Sequence, residues 1–272
     1  MNKTLCIWFV VTFALFFSAC EVIPENDRLK PLPLTYGKRT HLLVEYTGFR
    51  CVNCPTAAQT AEQMRLTYGE RLVTVAVHPA SNPFTQGAYD YTCPAADTLY
   101  RFMGGTASTP FPTGNIDLSE GDNGYFTDPA DWSGQLTRAL MNDDCPSLTI
   151  TTANTDAGGS EVTVTAEYSA DIEARLALWL LEDSVQGVQA MPDGTVNTAY
   201  IHRHLLRGTA FDSPWGVPAT GNTVSASIAI PKGCDRTHCS VVAVLMDKND
   251  YHVLNTYEKK INSSSVMPVG SR

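Results

Sequence analysis

The sequence predicts an α/β domain followed by an all-β domain. Up to residue 145, apolar β runs alternate with segments of helical periodicity, which is the order of an α/β fold. After residue 145, short β runs recur between turn residues, and several of them alternate with a period of two, as in a β-sandwich. We therefore predict domains over residues 39–145 and 146–262, with a flexible tail over residues 263–272.

The amino terminus predicts export. Residues 1–19 contain one charge, Lys3, followed by an apolar run from Leu5 to Phe17, and this pattern indicates a secretory signal peptide. The run is too short for a convincing membrane-spanning helix. Ser18-Ala19-Cys20 resembles a bacterial lipoprotein box, which implies cleavage before Cys20 and lipid attachment to that residue. The alternative is an ordinary signal peptide that ends near a cysteine.

Residues 20–38 are rich in proline and scattered charges, so they predict an extended, lipid-anchored tether. The formal charge of −9 becomes −10 once Lys3 is removed with the signal peptide. Phosphate binding needs a basic patch, and the sequence contains none, so the acidic balance argues against nucleic acid as a partner. The expected partners are the membrane, through the lipid, and either protein thiols or disulfides or a surface ligand.

The elements follow from periodicity. In the first domain we predict strands over residues 41–47, 71–77 and 111–117, and helices over 55–69, 94–103 and 129–141. Pro55 suits the first turn of the first helix, where its missing N–H is not needed. In the second domain the β runs cover residues 147–153, 161–169, 174–182, 222–230 and 240–247.

Six cysteines remain once Cys6 leaves with the signal peptide and Cys20 carries lipid. The compartment beyond the inner membrane is oxidising, so an even count favours disulfides over zinc, although six cysteines allow fifteen pairings. Cys234 and Cys239 lie between two β runs, which favours a loop-closing disulfide. Cys93 and Cys145 then remain, and they either pair across the first domain or act as auxiliary thiols.

The CxxC pair of Cys51 and Cys54 follows a β run and opens a predicted helix. The N–H groups at a helix amino terminus stabilise a thiolate over a thiol, and Arg50 adds a positive charge there. Cys51 is therefore the better nucleophile, and Cys54 is the resolving partner.

Two further features resemble thioredoxins. Glu45 lies six residues before Cys51, at the offset where thioredoxins bury an acid that accepts a proton from the inner cysteine. Phe111-Pro112-Thr113 resembles the thioredoxin segment in which a cis proline packs against the disulfide, which implies a site role for Pro112; Thr109-Pro110 is a competing candidate. The sequence also departs from thioredoxins, because Arg50 replaces a tryptophan.

Other interpretations compete with a redox centre. Cys51 and Cys54 could form a permanent structural disulfide on an inactive scaffold, while a metal site is less favoured because no second CxxC pair occurs. His202 and His204 would share one face of a strand, but no third ligand is evident, so we interpret them as surface or packing residues. The tryptophans indicate core or edge positions rather than a sugar platform.

Three segments together resemble the outer membrane protein 28 family, which comprises lipoproteins of Gram-negative anaerobes. They are EYTGFRCVNCP, WLLEDSVQGVQ and YIHRHLLRGTAFDSPWG. The resemblance implies an outer-membrane lipoprotein with a thioredoxin-like α/β domain and an immunoglobulin-like β-sandwich. Members are described as surface proteins and possible adhesins.

Two functions therefore follow as hypotheses. One is an anchored thiol-disulfide oxidoreductase, whose redox centre is the Cys51–Cys54 disulfide and needs no cofactor. The other is a surface binding or adhesion module on an inactive thioredoxin-like scaffold. An open surface above Cys51 would favour the first, and a buried pair with an exposed aromatic patch elsewhere would favour the second.

Overall fold

One mixed sheet runs through most of the molecule. The computed structural model describes residues 39–121, 124–142, 144–154, 160–169 and 173–261. The predicted signal peptide, the lipid site at Cys20, the tether over residues 20–38 and the tail over residues 263–272 lie outside the described residues. None of the helices in the described part is both long and apolar enough to cross a membrane.

The first half has the predicted α/β order. The described elements are β1 (His41–Tyr46), α1 (Cys54–Tyr68), β2 (Leu72–Val77), α2 (Pro94–Phe102), β3 (Thr113–Ile116) and α3 (Trp132–Ala139). β1 pairs with β2 in parallel and with β3 antiparallel. The apolar runs of β1 and β2 are buried because helices cover the sheet, and Ala57, Ala61 and Met64 form the buried side of α1.

The second half is β throughout apart from short turns. Its strands are β4 (Leu148–Asn154), β5 (Glu161–Tyr168), β6 (Ala174–Glu182), β7 (Val185–Ala190), β8 (Val196–His202), β9 (Leu205–Thr209), β10 (Val217–Pro218), β11 (Thr223–Ala229), β12 (Cys239–Asp247) and β13 (Val253–Lys260). All five predicted β runs are strands. The sequence analysis missed β7, β8, β9, β10 and β13.

The sheet does not stop at residue 146. Its order is β13-β12-β6-β9-β2-β1-β3, with β10 also paired to β6. β9 pairs in parallel with β2 at Ala76 and Leu205 and antiparallel with β6, so it joins the strands of the two halves. The sheet therefore continues across the predicted boundary near residue 146, and β9 covers the edge of β2, whose N–H and C=O groups would otherwise be unpaired.

A second, three-stranded sheet of order β11-β5-β4 forms the other layer of the β half. Its buried residues share a core with one face of β6 and β12, including Leu178 and Val241. The opposite face of the same two strands, including Trp179 and Val242, shares a core with α2 and with the CxxC pair. The predicted sandwich is present, but one of its sheets also belongs to the α/β half.

Candidate functional site

The CxxC pair lies at the junction of β1 and α1. Cys51 and Cys54 form a disulfide, with a Cα–Cα distance of 5.4 Å, and it is the one disulfide among the described residues. Pro55 occupies the first turn of α1, as predicted. The preceding turn is fixed by Gly48, whose added Cβ would lie 2.6 Å from the carbonyl oxygen of Phe84, so only glycine fits there.

Neither cysteine is open to solvent. Cys51 is 2% exposed and Cys54 is 1% exposed. Arg50 next to them is exposed, and its guanidinium donates to the carbonyl oxygen of Gln86 at 3.3 Å. The open surface that would favour an accessible nucleophile is therefore absent from the described structure around Cys51.

The hairpin of β7 and β8 covers the pair. The Nε2 of Gln189 donates to the carbonyl oxygen of Cys51 at 2.9 Å and to that of Gly48 at 3.4 Å. The backbone N–H of Ala190 donates to the carbonyl oxygen of Phe49 at 2.7 Å. Strands of the β half thus close over the disulfide of the α/β half.

The sequence analysis missed this hairpin, although its turn carries a signal. Met191-Pro192-Asp193-Gly194 separates two short runs of β-forming residues, and Asp-Gly is a strong hairpin marker. In the structure the N–H of Gly194 donates to the carbonyl oxygen of Met191, and Gly194 has a φ of 82°. The contact to Cys51 had no such local signal, because Gln189 lies 138 residues further along the chain.

Glu45 and Cys54 line one cavity of about 250 Å³ between α1 and β8. Glu45 lies in the middle strands of the sheet, opposite Ala76 on β2 and Gly114 on β3. It is 4% exposed, and its Oε1 has no hydrogen-bond partner. Burial raises the pKa of Glu45 to about 8, so this carboxyl group is mostly protonated at pH 7.

Three histidines also line this cavity: His78, His202 and His204. His78 is buried, and neither of its ring nitrogens has a hydrogen-bond partner. Burial lowers the pKa of His78 to about 3 and that of His202 to about 4, so both rings are neutral at pH 7. The Nε2 of His202 lies 3.2 Å from the carbonyl oxygen of Val188. His202 is therefore a packing residue, as predicted, and His78 was missed.

His204 does not sit beside His202 on the same strand. It follows the end of β8 with a φ of 50°, and its Nε2 lies 3.9 Å from the carboxylate of Glu62. Burial lowers the pKa of His204 as well. Because β8 ends at His202 and His204 has a left-handed backbone, the strand alternation that would place both rings on one face does not extend to His204.

The predicted cis proline is present. The bond between Phe111 and Pro112 is cis, whereas the competing Thr109–Pro110 bond is trans. Phe111 packs against the rings of Phe84 and Tyr100, with centroid distances of 5.9 and 5.8 Å. It belongs to the same buried cluster as the disulfide, at the start of β3.

The structure contains no bridge between Cys234 and Cys239, so the predicted loop-closing disulfide stays a prediction. Arg207 Nε donates to the Cys234 sulfur at 3.2 Å, and the Cys239 sulfur donates to the carbonyl oxygen of Asp235 at 3.4 Å. Cys93 is a buried thiol before α2, and the amide of Asn255 lies 3.5 Å from the sulfur of Cys145. No bridge therefore joins Cys93 to Cys145.

Trp179 is fully buried and donates to the carbonyl oxygen of Pro214 at 2.9 Å, as a core residue does. Trp215 instead forms an aromatic cluster with Phe102 and Tyr251, at centroid distances of 4.4 and 4.7 Å. Phe102 is 44% exposed. This cluster is the partly exposed aromatic patch that the surface-binding hypothesis requires.

The fold and the site define a class: an α/β protein extended by β layers, with a buried CxxC disulfide whose Cys54 lines one cavity together with the neutral carboxyl group of Glu45. The family described as outer membrane protein Omp28 matches residues 98–265 of this chain. The chain belongs to that family, and its location is the outer membrane. The matched segment includes the covering hairpin but begins after the CxxC pair.

Two solved structures have a similar fold, and a third matches only part of the chain. HBP35 of Porphyromonas gingivalis is 17% identical, with a TM-score of 0.65 over 86% of this chain and 79% of that chain. A crystal structure of a protein from Agrobacterium tumefaciens is 12% identical, with a TM-score of 0.51 over 83% and 96% of the two chains. A domain of the outer membrane lipoprotein Omp28 from Porphyromonas gingivalis is 18% identical over 44% of this chain and 91% of its own, with a TM-score of 0.32. Among curated proteins none matches.

Proposed function

We propose that this protein exchanges disulfides with exported or surface proteins through Cys51 and Cys54, anchored to the outer membrane by lipid on Cys20. The observation that carries the proposal is Glu45. A buried carboxyl oxygen without a hydrogen-bond partner costs stability, and a purely structural disulfide would not need one in the cavity that Cys54 lines. A proton carrier next to the inner cysteine is what exchange requires.

In its oxidised form the protein would accept two electrons from a client dithiol in the following steps. A client thiolate attacks the Cys51 sulfur, the Cys51–Cys54 bond breaks, and Cys54 leaves with the electron pair. The neutral carboxyl group of Glu45 supplies the proton that this thiolate takes up. A second client thiolate then attacks the client sulfur of the mixed disulfide and releases Cys51 as a thiolate, which takes a proton from water, so the client gains one disulfide and the protein becomes a dithiol. The reverse direction returns the proton to Glu45.

Access to Cys51 requires movement of the hairpin. Both cysteines are buried, and the hydrogen bonds from Gln189 and Ala190 hold β7 against the turn that carries Cys51. We infer that exchange occurs from a minor population in which β7 and β8 lift away. The hairpin thereby limits the rate and selects clients that can displace it.

The test is disulfide exchange by the full chain with insulin and with oxidised glutathione as probes. We expect exchange by the wild type, its loss in Cys51→Ser, and trapped mixed disulfides in Cys54→Ser. A wild type no faster than Cys51→Ser would contradict the proposal. Cys93→Ser is a matched control, because that thiol is also buried but lies outside the CxxC pair.

A second candidate is a surface-binding role. It is favoured by the burial of the disulfide together with the exposed ring of Phe102 in the cluster with Trp215 and Tyr251. Adherence of the full chain to mucin-coated surfaces tests it, with Phe102→Ser expected to weaken adherence and Leu66→Ser, at another exposed apolar residue, as the control. Adherence that Phe102→Ser leaves unchanged would count against this role.

A further inference from the structure

A second pair of cysteines lies on one tight turn between β11 and β12. Cys239 is the first residue of β12, opposite Glu182 on β6. The turn between Cys234 and Cys239 is closed by Asp235, whose carboxylate accepts from the N–H and hydroxyl of Thr237 at 2.9 and 2.7 Å. The N–H of His238 donates to the carbonyl oxygen of Asp235 at 2.9 Å. The two cysteines therefore lie at the two ends of one hydrogen-bonded turn.

A buried cation faces this turn. Arg207 on β9 donates its Nε to the Cys234 sulfur at 3.2 Å and lies 3.2 Å from the carboxylate of Glu182. The other carboxylate oxygen of Glu182 accepts from the N–H of Asp235 at 2.6 Å. The side chains of Arg207 and Glu182 are only 14% and 5% exposed. A neutral thiol is a weak acceptor, so the guanidinium contact stabilises Cys234 mainly as a thiolate.

The two thiols are not equivalent. Cys234 is half-buried, whereas Cys239 is buried. Burial, together with the nearby charges of Glu182 and Cys234, raises the pKa of Cys239 to about 12. The pKa of Cys234 is also raised, by burial and by Glu182, but there the hydrogen bond and the charge of Arg207 act in the opposite direction and limit the rise. Cys234 is therefore the first to ionise and the first to meet a reagent.

We propose that Cys234 and Cys239 form a second redox couple, which exchanges with glutathione-type disulfides through Cys234 and resolves through Cys239. The Cys234 thiolate attacks one sulfur of the reagent, whose disulfide breaks and releases one thiolate. Cys239 then loses its proton to water and attacks the Cys234 sulfur. The second reagent thiolate leaves, so two electrons pass from the dithiol to the reagent. This proposal is independent of exchange at Cys51 and Cys54.

The experiment is a redox titration of the full chain with a readout at the level of peptides. The protein is equilibrated with mixtures of reduced and oxidised glutathione, quenched in acid, alkylated and digested with trypsin without reduction. Arg236 lies between the two cysteines, so trypsin separates them unless a disulfide links the two peptides. The Cys51–Cys54 peptide is measured in the same digest, which keeps the two couples distinguishable.

We expect the linked peptides to be absent in reduced glutathione, to dominate in oxidised glutathione, and to return to two alkylated peptides on reversal. Three outcomes overturn the proposal: no linkage at any ratio, linkage that persists in the most reducing mixture as a permanent bridge would, or linkage of Cys234 to Cys93 or Cys145.

A kinetic variant tests the role of Arg207. Arg207→Lys keeps a positive charge but loses the planar Nε donor, so alkylation of Cys234 by iodoacetamide at pH 7 should slow by roughly threefold or more. The matched control is Arg203→Lys, because Arg203 also pairs with an acid, Asp183, at 3.6 Å, yet its side chain is half exposed. An unchanged Cys234 rate in Arg207→Lys, with thermal unfolding like that of the wild type, would refute the assigned role.

Discussion

Gln189 donates a hydrogen bond of 2.9 Å from its side-chain amide to the backbone carbonyl of Cys51. Both residues are buried, and they belong to the two halves of the chain that the shared sheet joins. Because this contact holds β7 against the turn that carries Cys51, our proposal of exchange at Cys51 requires that a reagent first displace the β7–β8 hairpin.

Gln189→Ala is predicted to speed reduction of the Cys51–Cys54 disulfide. The substitution removes the hydrogen bonds to Cys51 and Gly48, which together contribute about 1–2 kcal/mol to the closed hairpin. Opening should therefore become about 5–30 times more frequent. The measurement is the rate of reduction by dithiothreitol, followed by alkylation and mass analysis.

Gln186→Ala is the matched control, since Gln186 is an exposed glutamine on the same strand. It should leave the rate of reduction at the wild-type value. Equal rates for all three proteins would show that the hairpin does not limit access to the disulfide.

Local features of the site could be predicted from sequence, and long-range contacts could not. The start of α1, the cis bond at Pro112 and the burial of Glu45 follow from short motifs whose spacing is set by adjacent elements. The continuous sheet depends instead on one pairing between Ala76 and Leu205, which no local pattern encodes. The contact between Gln189 and Cys51 could not be predicted either, because the two residues lie far apart in the sequence.

The surroundings of Cys234 were likewise beyond what the sequence could predict. The sequence shows Cys234 and Cys239 flanking a turn, and loop closure is then the natural interpretation. It does not show that Arg207, from a strand that periodicity missed, reaches the Cys234 sulfur.

Cys20→Ala is predicted to release the protein from membranes. Ser18-Ala19-Cys20 provides the proposed lipid site, and several acyl chains at about 0.8 kcal/mol per buried methylene give a firm anchor. Membrane fractionation after a high-salt wash measures the effect, with Cys6→Ala as the control because Cys6 lies within the predicted signal peptide. Retention of Cys20→Ala in the washed membranes would contradict lipid anchoring.

His78 is predicted to make the protein sensitive to acid. Its pKa is lowered from an unfolded value of 6.5 to about 3, so the stability it confers is complete above pH 6.5 and is lost as the pH falls towards 3. Between pH 6.5 and pH 5 this loss amounts to about 2 kcal/mol.

His78→Leu should reduce that loss, because leucine does not titrate and has no ring nitrogens to leave without partners. Urea unfolding at pH 6.5 and pH 5 measures the difference. His252→Gln is the control, since His252 is partly exposed and bonds to Asp250 instead. A His78→Leu variant that loses as much stability as the wild type over this range would show that His78 is not the sensitive group.

Glu45→Gln is predicted to change both stability and exchange. The pKa of Glu45 is raised from an unfolded value of 4.5 to about 8, so its contribution is complete below pH 4.5 and is lost as the pH rises through 8. The free energy of unfolding of the wild type should fall by about 3 kcal/mol between pH 5 and pH 7.5 from this group alone. Glutamine stays neutral, so the variant should lack this fall, whereas Glu70→Gln, at an exposed position, should retain it.

The same variant separates a proton carrier from a buried carboxyl group with no role in exchange. Glutamine cannot give a proton to the Cys54 thiolate or take it back, so the rate of mixed-disulfide resolution should fall by roughly tenfold or more. The pH dependence of that rate near pH 8 should disappear with it. Stopped-flow mixing of the reduced protein with oxidised glutathione gives both quantities. If Glu45→Gln flattens the stability profile but leaves resolution and its pH dependence unchanged, Glu45 titrates in the cavity without serving Cys54.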